Sequence, residues 1–117
     1  MNDQVFDLKE FLERAQDDKE LLLELLDIFV EDYKAKYKQL QEAINNKNIE
    51  EIKSIAHSLK GSSGNISAKL LRTTCLKLEE LGKNNDLAQA KEYLIQMDQQ
   101  FKDLLVCIDT TKAQLKS

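Results

Sequence analysis

The chain of 117 residues contains no proline, no tryptophan, three glycines, two cysteines and a single histidine. Without proline, no ring interrupts a helix anywhere in the sequence. One histidine and two cysteines far apart in the chain do not supply the usual ligands of a zinc site. Cys75 and Cys107 also have no CxxC partner, so we expect two reduced, buried thiols rather than a disulfide.

Long apolar runs and an excess of positive charge are absent as well. The net charge is −4, with acidic and basic residues interspersed, which gives no basic surface for nucleic acid or for an anionic membrane. No apolar stretch is long enough to cross a bilayer, and the N-terminus does not resemble a secretory signal. The composition therefore predicts a single cytoplasmic domain over residues 1–117.

Apolar residues recur at threes and fours along the chain, which is the period of amphipathic helices. This spacing predicts five helices and no strands. The first helix covers about residues 7–15. The second is capped by Asp17 or Asp18 and continues to about residue 45. The apolar stripe of the second helix consists of Leu22, Leu25, Leu26, Phe29, Val30, Tyr33, Tyr37, Leu40 and Ile44.

Caps and apolar faces mark the other three helices. Asn48, with Glu51 three residues later, forms a capping-box-like start for the third helix, and Ser67 is a candidate N-cap for the fourth. Residues 84–86 form a turn that also caps the fifth helix. The apolar faces of the fourth and fifth helices comprise Leu70, Leu71, Thr74, Cys75, Leu78 and Leu81, and Leu87, Ala90, Leu94, Met97, Phe101, Leu104 and Ile108.

The lengths and spacing of these helices predict the fold class. Four long amphipathic helices joined by short loops close into an antiparallel four-helix bundle, because each must bury its apolar face against the others. The short first helix is then expected to cap one end of the bundle. We therefore predict an all-α domain.

The single histidine, His57, lies on the third helix away from its apolar face. At about 100° per residue, Ile52, Ala56 and Leu59 fall on one side of that helix. His57 lies roughly 130° from the middle of their stripe, which predicts that its ring faces solvent. The residues that share its side of the helix are Lys53, Lys60, Gly61 and Gly64.

Gly61 and Gly64 lie in a helix-favouring segment, where each glycine costs about 1 kcal/mol relative to alanine. We interpret both glycines as clearance for something large that approaches His57. A neutral imidazole is a nucleophile near pH 7. Lys60, one turn along the helix, is placed to offset the charge of an incoming phosphoryl group. The four residues together therefore indicate phosphoryl chemistry.

Residues 56–68 (AHSLKGSSGNISA), with Leu71, Cys75, Leu78 and Glu79 beyond them, resemble the histidine-containing phosphotransfer (HPt) domain family. The core of this signature, a histidine followed by Leu-Lys-Gly and small residues, is fairly specific. The predicted helices extend the resemblance over nearly the whole chain. It implies a four-helix bundle whose exposed histidine accepts a phosphoryl group from a receiver-domain aspartate and passes it to another receiver.

Carried over position by position, the resemblance makes His57 the phosphorylated residue and Lys60 its charge partner. It also implies that Glu79 orients the imidazole through one ring nitrogen, although a surface carboxylate without a role is an equally weighted interpretation. Ser67 departs from the family, which commonly has glycine at this turn. Since serine is a good N-cap, we expect the departure to alter the turn without abolishing the fold.

The same resemblance implies a docking surface for receivers around the histidine. Gly61 and Gly64 provide clearance, and Lys53 and Lys83 add positive charge to that surface. We expect it to be apolar near His57 with a charged rim, and exposed residues of the first helix and the start of the second are further candidates.

The implied protein is a phosphoryl carrier without kinase activity of its own, because the sequence has neither a phosphate-binding loop nor a set of kinase motifs. Its expected partners are response-regulator receiver domains and a hybrid sensor histidine kinase, and we expect the chain to be monomeric. We expect no cofactor in this chain, since magnesium belongs to the receiver.

Two alternatives to a relay protein stay open. One is a structural or adaptor bundle whose helices bind partner helices and in which His57 is incidental. The other is an inhibitor that docks on receivers or kinases without being phosphorylated, which the presence of both His57 and Lys60 disfavours. An ordinary enzyme is least favoured, because no second base, metal set or cofactor motif accompanies the histidine.

Overall fold

The computed structural model describes residues 2–116, which form five helices and, within that range, no strand. The helices are α1 (Leu8–Arg14), α2 (Lys19–Asn45), α3 (Ile49–Asn65), α4 (Lys69–Lys83) and α5 (Ala90–Lys116). The predicted all-α helical bundle is confirmed, and it measures 46 × 20 × 19 Å. Met1 and Ser117, the ends of the predicted domain, lie outside the described residues.

Side-chain caps begin the first three helices. Asp7, Asp18 and Asn48 each accept a hydrogen bond from the backbone N–H three residues later in the chain. These bonds satisfy N–H groups that have no partner inside the helix. Of the two candidate caps for α2, Asp17 and Asp18, the structure uses Asp18, and the cap predicted at Asn48 is confirmed. Both caps join residues that are close together in sequence.

The start of α4 differs from its prediction. The N-cap is Ala68, which makes no side-chain cap bond, so the predicted cap at Ser67 is wrong. Ser67 has a φ of 64°, in the left-handed region that favours glycine. Its hydroxyl donates to Oε1 of Glu10 at 2.7 Å, which fastens this turn to α1. The serine therefore adopts the backbone conformation of a glycine at this turn.

The start of α5 also differs from its prediction. α5 begins at Ala90, so Leu87 lies in the connection rather than in the helix. Asn85 has a φ of 55°, and the carboxylate of Asp86 accepts a hydrogen bond from the N–H of Ala88. The polar segment 84–86 therefore shapes the turn after α4, and it does not cap α5.

Buried apolar residues from all five helices form one core. It contains an aromatic cluster in which the rings of Tyr33 and Phe101 stack with centroids 4.0 Å apart. Phe29 lies beside them, 6.5 Å from Phe101. The burial of these rings fixes α2 against α5, since aromatic side chains contribute large apolar areas. No helix within residues 2–116 is both long enough and apolar enough to span a membrane.

Two residues of the predicted apolar stripes lie at the surface instead. Leu25 and Leu70 are each 37% exposed. On α2, Leu25 shares its side of the helix with Leu21 and Ile28, which are also exposed and lie four residues before and three after it. α2 therefore carries a second apolar stripe that faces solvent beside the one that faces the core.

α1 and the residues before it close the end of the bundle where α3 continues into α4. The N–H of Asp7 donates to the carbonyl of Ser67, and the N–H of Leu70 donates to the carbonyl of Gln4. Lys69 adds an ion pair with Asp7 at 3.0 Å. These bonds hold the capping helix against the turn that follows the histidine-bearing helix.

Candidate functional site

His57 projects from the outer face of α3, with 69% of its side chain exposed. On the opposite face of the same helix, Ala56 and Leu59 are fully buried in the core. The helix is therefore fixed by packing while its histidine stands in solvent, as the helical wheel predicts. A partner molecule has direct access to the imidazole.

Glu79 of α4 contacts both His57 and Lys60. Its Oε2 lies 2.7 Å from Nδ1 of His57, and its Oε1 lies 2.7 Å from Nζ of Lys60. The Glu79 side chain is only 6% exposed, which is rare for a carboxylate without partners. The structure thus places Glu79 under the histidine and not on an open surface.

These contacts set the charge of Glu79 and the tautomer of His57. The hydrogen bond from Lys60 lowers the pKa of the Glu79 carboxyl, burial opposes this, and the bond from His57 lowers the pKa further. An ionised carboxylate only accepts hydrogen bonds, so Nδ1 of a neutral His57 must donate the proton. The lone pair then lies on Nε2, which has no hydrogen-bond partner within residues 2–116.

Lys60 is half-buried and forms an ion pair with Glu79. This ammonium compensates the charge of the carboxylate beneath His57. The role of charge partner for a phosphoryl group stays a prediction for Lys60. Its position depends on Glu79 as well as on the helical spacing from His57.

Gly61 and Gly64 have different surroundings. A Cβ atom at Gly61 would meet no other atom within 4 Å, whereas one at Gly64 would lie 3.1 Å from Cδ of Arg72. Neither glycine has a positive φ, so alanine fits the backbone at both positions. The packing of this chain accounts for Gly64 through Arg72, but no neighbour accounts for Gly61.

The two lysines predicted for the docking surface also have different surroundings. Lys53 pairs with Glu50 at 3.1 Å, and its Cγ occupies the space that a Cβ at Gly82 would need. Part of Lys53 therefore serves to pack α3 against α4. Lys83, the last residue of α4, lies exposed one turn beyond Glu79.

Lys36 of α2 is a cation near the histidine that the sequence analysis missed. Its Nζ lies 2.6 Å from Oγ of Ser58 and 3.0 Å from Oδ2 of Asp32. Since Ser58 directly follows His57, Lys36 and Lys60 flank the histidine on two sides of α3. Lys36 lies beside Ser58 because of the register between α2 and α3. No local sequence pattern reveals this register.

An apolar cleft of about 210 Å³ lies between α2 and the C-terminal half of α3, beside the histidine face. Exposed Leu25 and Ile28 form its outer edge. It lies on α1, the start of α2 and α3, where the sequence predicts an apolar docking surface. The lining residues are Phe11, Leu25, Ile28, Phe29, Asp32, Ser62, Asn65 and Ile66.

The remaining reactive groups lie apart from this site. Both cysteines are free thiols, and Cys75 is buried as expected, whereas Cys107 is only half-buried, so its predicted burial is wrong. Burial raises the pKa of the Cys75 thiol to about 12, so it stays protonated and unreactive near neutral pH. In the part of the chain that the structure describes, no group of three or more His, Cys, Asp or Glu residues could hold a metal ion.

Comparison with known proteins decides the family. The model of the Hpt domain matches residues 24–107, a range that contains His57, Lys60 and Glu79. This chain belongs to the Hpt domain family. No curated protein matches it. The resemblance identified in the sequence is therefore confirmed, and membership supports a phosphotransfer role in a phosphorelay.

Two solved structures share the fold of this Hpt domain. Histidine-containing phosphotransfer protein B (HptB) from Pseudomonas aeruginosa PAO1 is 28% identical, with a TM-score of 0.81 over 97% of this chain and 95% of that one. The HPT domain of a sensor hybrid histidine kinase from Shewanella is 15% identical, with a TM-score of 0.82 over 99% and 100% of the two chains. At that identity the second similarity concerns the fold alone.

Proposed function

We propose that this Hpt domain accepts a phosphoryl group from a receiver-domain aspartate on Nε2 of His57 and passes it to another receiver. The observation that carries the proposal is the double contact of Glu79, 2.7 Å from Nδ1 of His57 and 2.7 Å from Nζ of Lys60. It leaves Nε2 as the nitrogen available to a partner, on a ring that is largely exposed.

The transfer itself is a displacement at phosphorus. The lone pair of Nε2 attacks the aspartyl phosphate in line with the leaving carboxylate. An N–P bond forms as the acyl P–O bond breaks, and its electron pair returns to the aspartate of the receiver. The imidazole becomes positively charged because Nδ1 keeps its proton, and the adjacent carboxylate of Glu79 stabilises that charge. Transfer onward reverses these steps.

The local cations support this chemistry. Lys60 compensates Glu79, and Lys36 lies beside Ser58 on the other flank of the histidine. Both ammonium groups therefore lie near a position where a phosphoryl group would bring additional negative charge. The receiver supplies the magnesium ion in this proposal. This chain contributes the nucleophile and two ammonium groups, each of which is paired with a carboxylate of this chain.

Docking of the receiver would take place over Gly61 and the apolar cleft beside it. Gly61 presents bare backbone one turn from the histidine, with open space where a Cβ would stand. Leu25 and Ile28 offer exposed apolar surface within the same region, which suits a transient signalling interface. The partners are then response-regulator receivers, with a hybrid histidine kinase as the source of the first phosphoryl group.

The experiment is incubation of the domain with a panel of radiolabelled phosphorylated receivers from the same cell. We expect acid-labile, base-stable label on the chain and none on His57→Gln, which should stay folded because His57 is exposed. A stable complex in which the wild-type chain takes up no label would contradict the relay and support the docking inhibitor. Partner function that survives His57→Gln unchanged would support the adaptor.

A further inference from the structure

We propose that Arg72 of α4 is a docking residue for a carboxylate on the surface of the receiver. We also propose that the lack of a side chain at Gly64 makes room for the side chain of Arg72. This inference rests on the proposed function, because it assumes a receiver as the partner. It assigns a role to a residue outside the histidine signature.

The side chain of Arg72 lies across the backbone of α3. Its Cδ and Nε are 3.1 Å and 3.2 Å from the position that a Cβ of Gly64 would occupy. Any larger residue at position 64 would therefore crowd the arginine. Gly64 allows a cation from α4 to lie against the same face of α3 that carries His57.

The guanidinium of Arg72 is unpaired among the described residues. It belongs to a solvent-open cleft of about 640 Å³ beside Gly61 and Gly64. The charged residues that line this cleft are Glu10, Arg14, Lys60, Lys69 and Arg72. The other three cations are each within 3.1 Å of a carboxylate of this chain. Arg72 makes no hydrogen bond or ion pair through its side chain with residues 2–116, so its charge is available to a partner.

The position of Arg72 indicates a role in binding rather than in the chemical step. Gly64 follows His57 by seven residues, which is two helical turns or roughly 10 Å along the axis. A guanidinium over Gly64 therefore meets the body of a docked partner. The planar fork of arginine matches a carboxylate, and a guanidinium without a partner in this chain favours a negatively charged side chain on the partner at that point.

The test uses the receiver that transfers label to the wild-type domain fastest, with initial rates measured against receiver concentration. We expect Arg72→Gln to raise the half-saturating concentration about threefold and Arg72→Glu about tenfold, with the rate at saturation unchanged. Both effects should shrink at high salt, because the contact lies at the surface. A lower rate at saturation with an unchanged half-saturating concentration would overturn the docking role.

Lys77→Glu is the matched control for charge. Lys77 is exposed on the same helix, and five residues of separation place it roughly 140° around α4 from Arg72. We expect this reversal to leave the half-saturating concentration unchanged. If Lys77→Glu and Arg72→Glu weaken binding equally, net charge alone explains the effect and the proposal for Arg72 is wrong.

A double-mutant cycle tests whether Gly64 makes room for the side chain of Arg72. Gly64→Leu should displace Arg72 and raise the half-saturating concentration about threefold, as Arg72→Gln does. The double variant should then be no weaker than Arg72→Gln alone. If Gly64→Leu has the same effect in the wild-type and Arg72→Gln backgrounds, Gly64 gives clearance to the partner. The proposal that it makes room for Arg72 would then be refuted.

Direct binding of the same receiver to unlabelled domain separates this inference from the proposed function. If the wild-type chain binds receivers but takes up no label, the relay is wrong, and the Arg72 variants still report on docking through their dissociation constants. If label is transferred and no Arg72 variant changes binding, the relay stands and only the inference on Arg72 falls.

Discussion

The outward faces of α3 and α5 differ, although both helices bury their inner faces in one core. α5 has no glycine in 27 residues, and its exposed positions are mostly charged or amide side chains. α3 has Gly61 and Gly64 within two turns of His57, each with a propensity cost of about 1 kcal/mol. No contact with the described residues accounts for Gly61. Under the proposed function, this cost is offset by the access that a receiver gains to His57, which no position on α5 has to provide.

Phe101→Ala should have the largest effect, and that effect should be on the stability that α5 contributes through the core. The ring is buried and stacks on Tyr33, so its loss removes apolar burial and leaves a cavity. We expect a loss of about 3–5 kcal/mol in the free energy of unfolding, measured with urea. Ile95→Ala on the same helix is the control, because Ile95 is 71% exposed and should change stability by about 0.5 kcal/mol or less. Equal losses from the two variants would contradict the assigned core.

Gly61→Gln should increase the stability of the domain and decrease its rate of phosphoryl transfer. The free energy of unfolding should rise by about 0.5 kcal/mol, since glutamine favours helix and its Cβ meets no neighbour. Transfer from a phosphorylated receiver should slow about a hundredfold, roughly 2.7 kcal/mol in the barrier, because the side chain blocks approach to His57. Gly61→Ala is the graded control, with a gain in helix propensity at least as large and a far smaller loss of rate. Transfer by Gly61→Gln at the wild-type rate would refute clearance.

Lys60→Ala should have an intermediate effect on the site. Without the ammonium, Glu79 stays negative beneath the incoming phosphoryl group, so acceptance should slow about tenfold while receiver binding changes little. Separate measurement of the transfer rate and the dissociation constant checks this, and Lys60→Arg should restore most of the rate. Weaker binding with unchanged chemistry would mean that Lys60 is a docking residue instead.

Glu79→Gln should have the smallest effect, visible in the pH dependence of stability. The contacts with Lys60 and His57 lower the pKa of Glu79, so the folded state binds its proton less readily than the unfolded state does. The stabilisation is therefore complete above the ordinary pKa of 4.5 and is lost as pH falls through the lowered value in the folded protein. The advantage of wild type over Glu79→Gln, about 1 kcal/mol at neutral pH, should shrink in that window. A constant difference down to pH 2 would contradict the assignment.

What the sequence predicts correctly is local. The caps at Asp18 and Asn48 involve residues three apart, and the orientation of His57 follows from the rotation of one helix about its axis. The family signature is local as well, since it lies within one continuous segment of the chain, residues 56–79. These features need no knowledge of how the helices meet.

What the sequence does not predict depends on contacts between helices. The exposure of Leu25 follows from where α2 meets its neighbours, and the place of Lys36 beside Ser58 follows from the register of α2 and α3. Arg72 acquires its position by crossing from α4 to Gly64. The failure at Ser67 has a different origin, because tertiary bonds to α1 hold that residue at a positive φ.

Long-range ¹H–¹⁵N correlation of the imidazole tests the central claim most directly, since His57 is the only histidine and gives one unambiguous set of signals. We predict that the neutral form of the ring carries its proton on Nδ1 in the free domain, and that phosphorus is coupled to Nε2 after incubation with a phosphorylated receiver. A neutral ring protonated at Nε2, or phosphorus bound to Nδ1, would contradict the proposed role of Glu79 and the assignment of the attacking nitrogen.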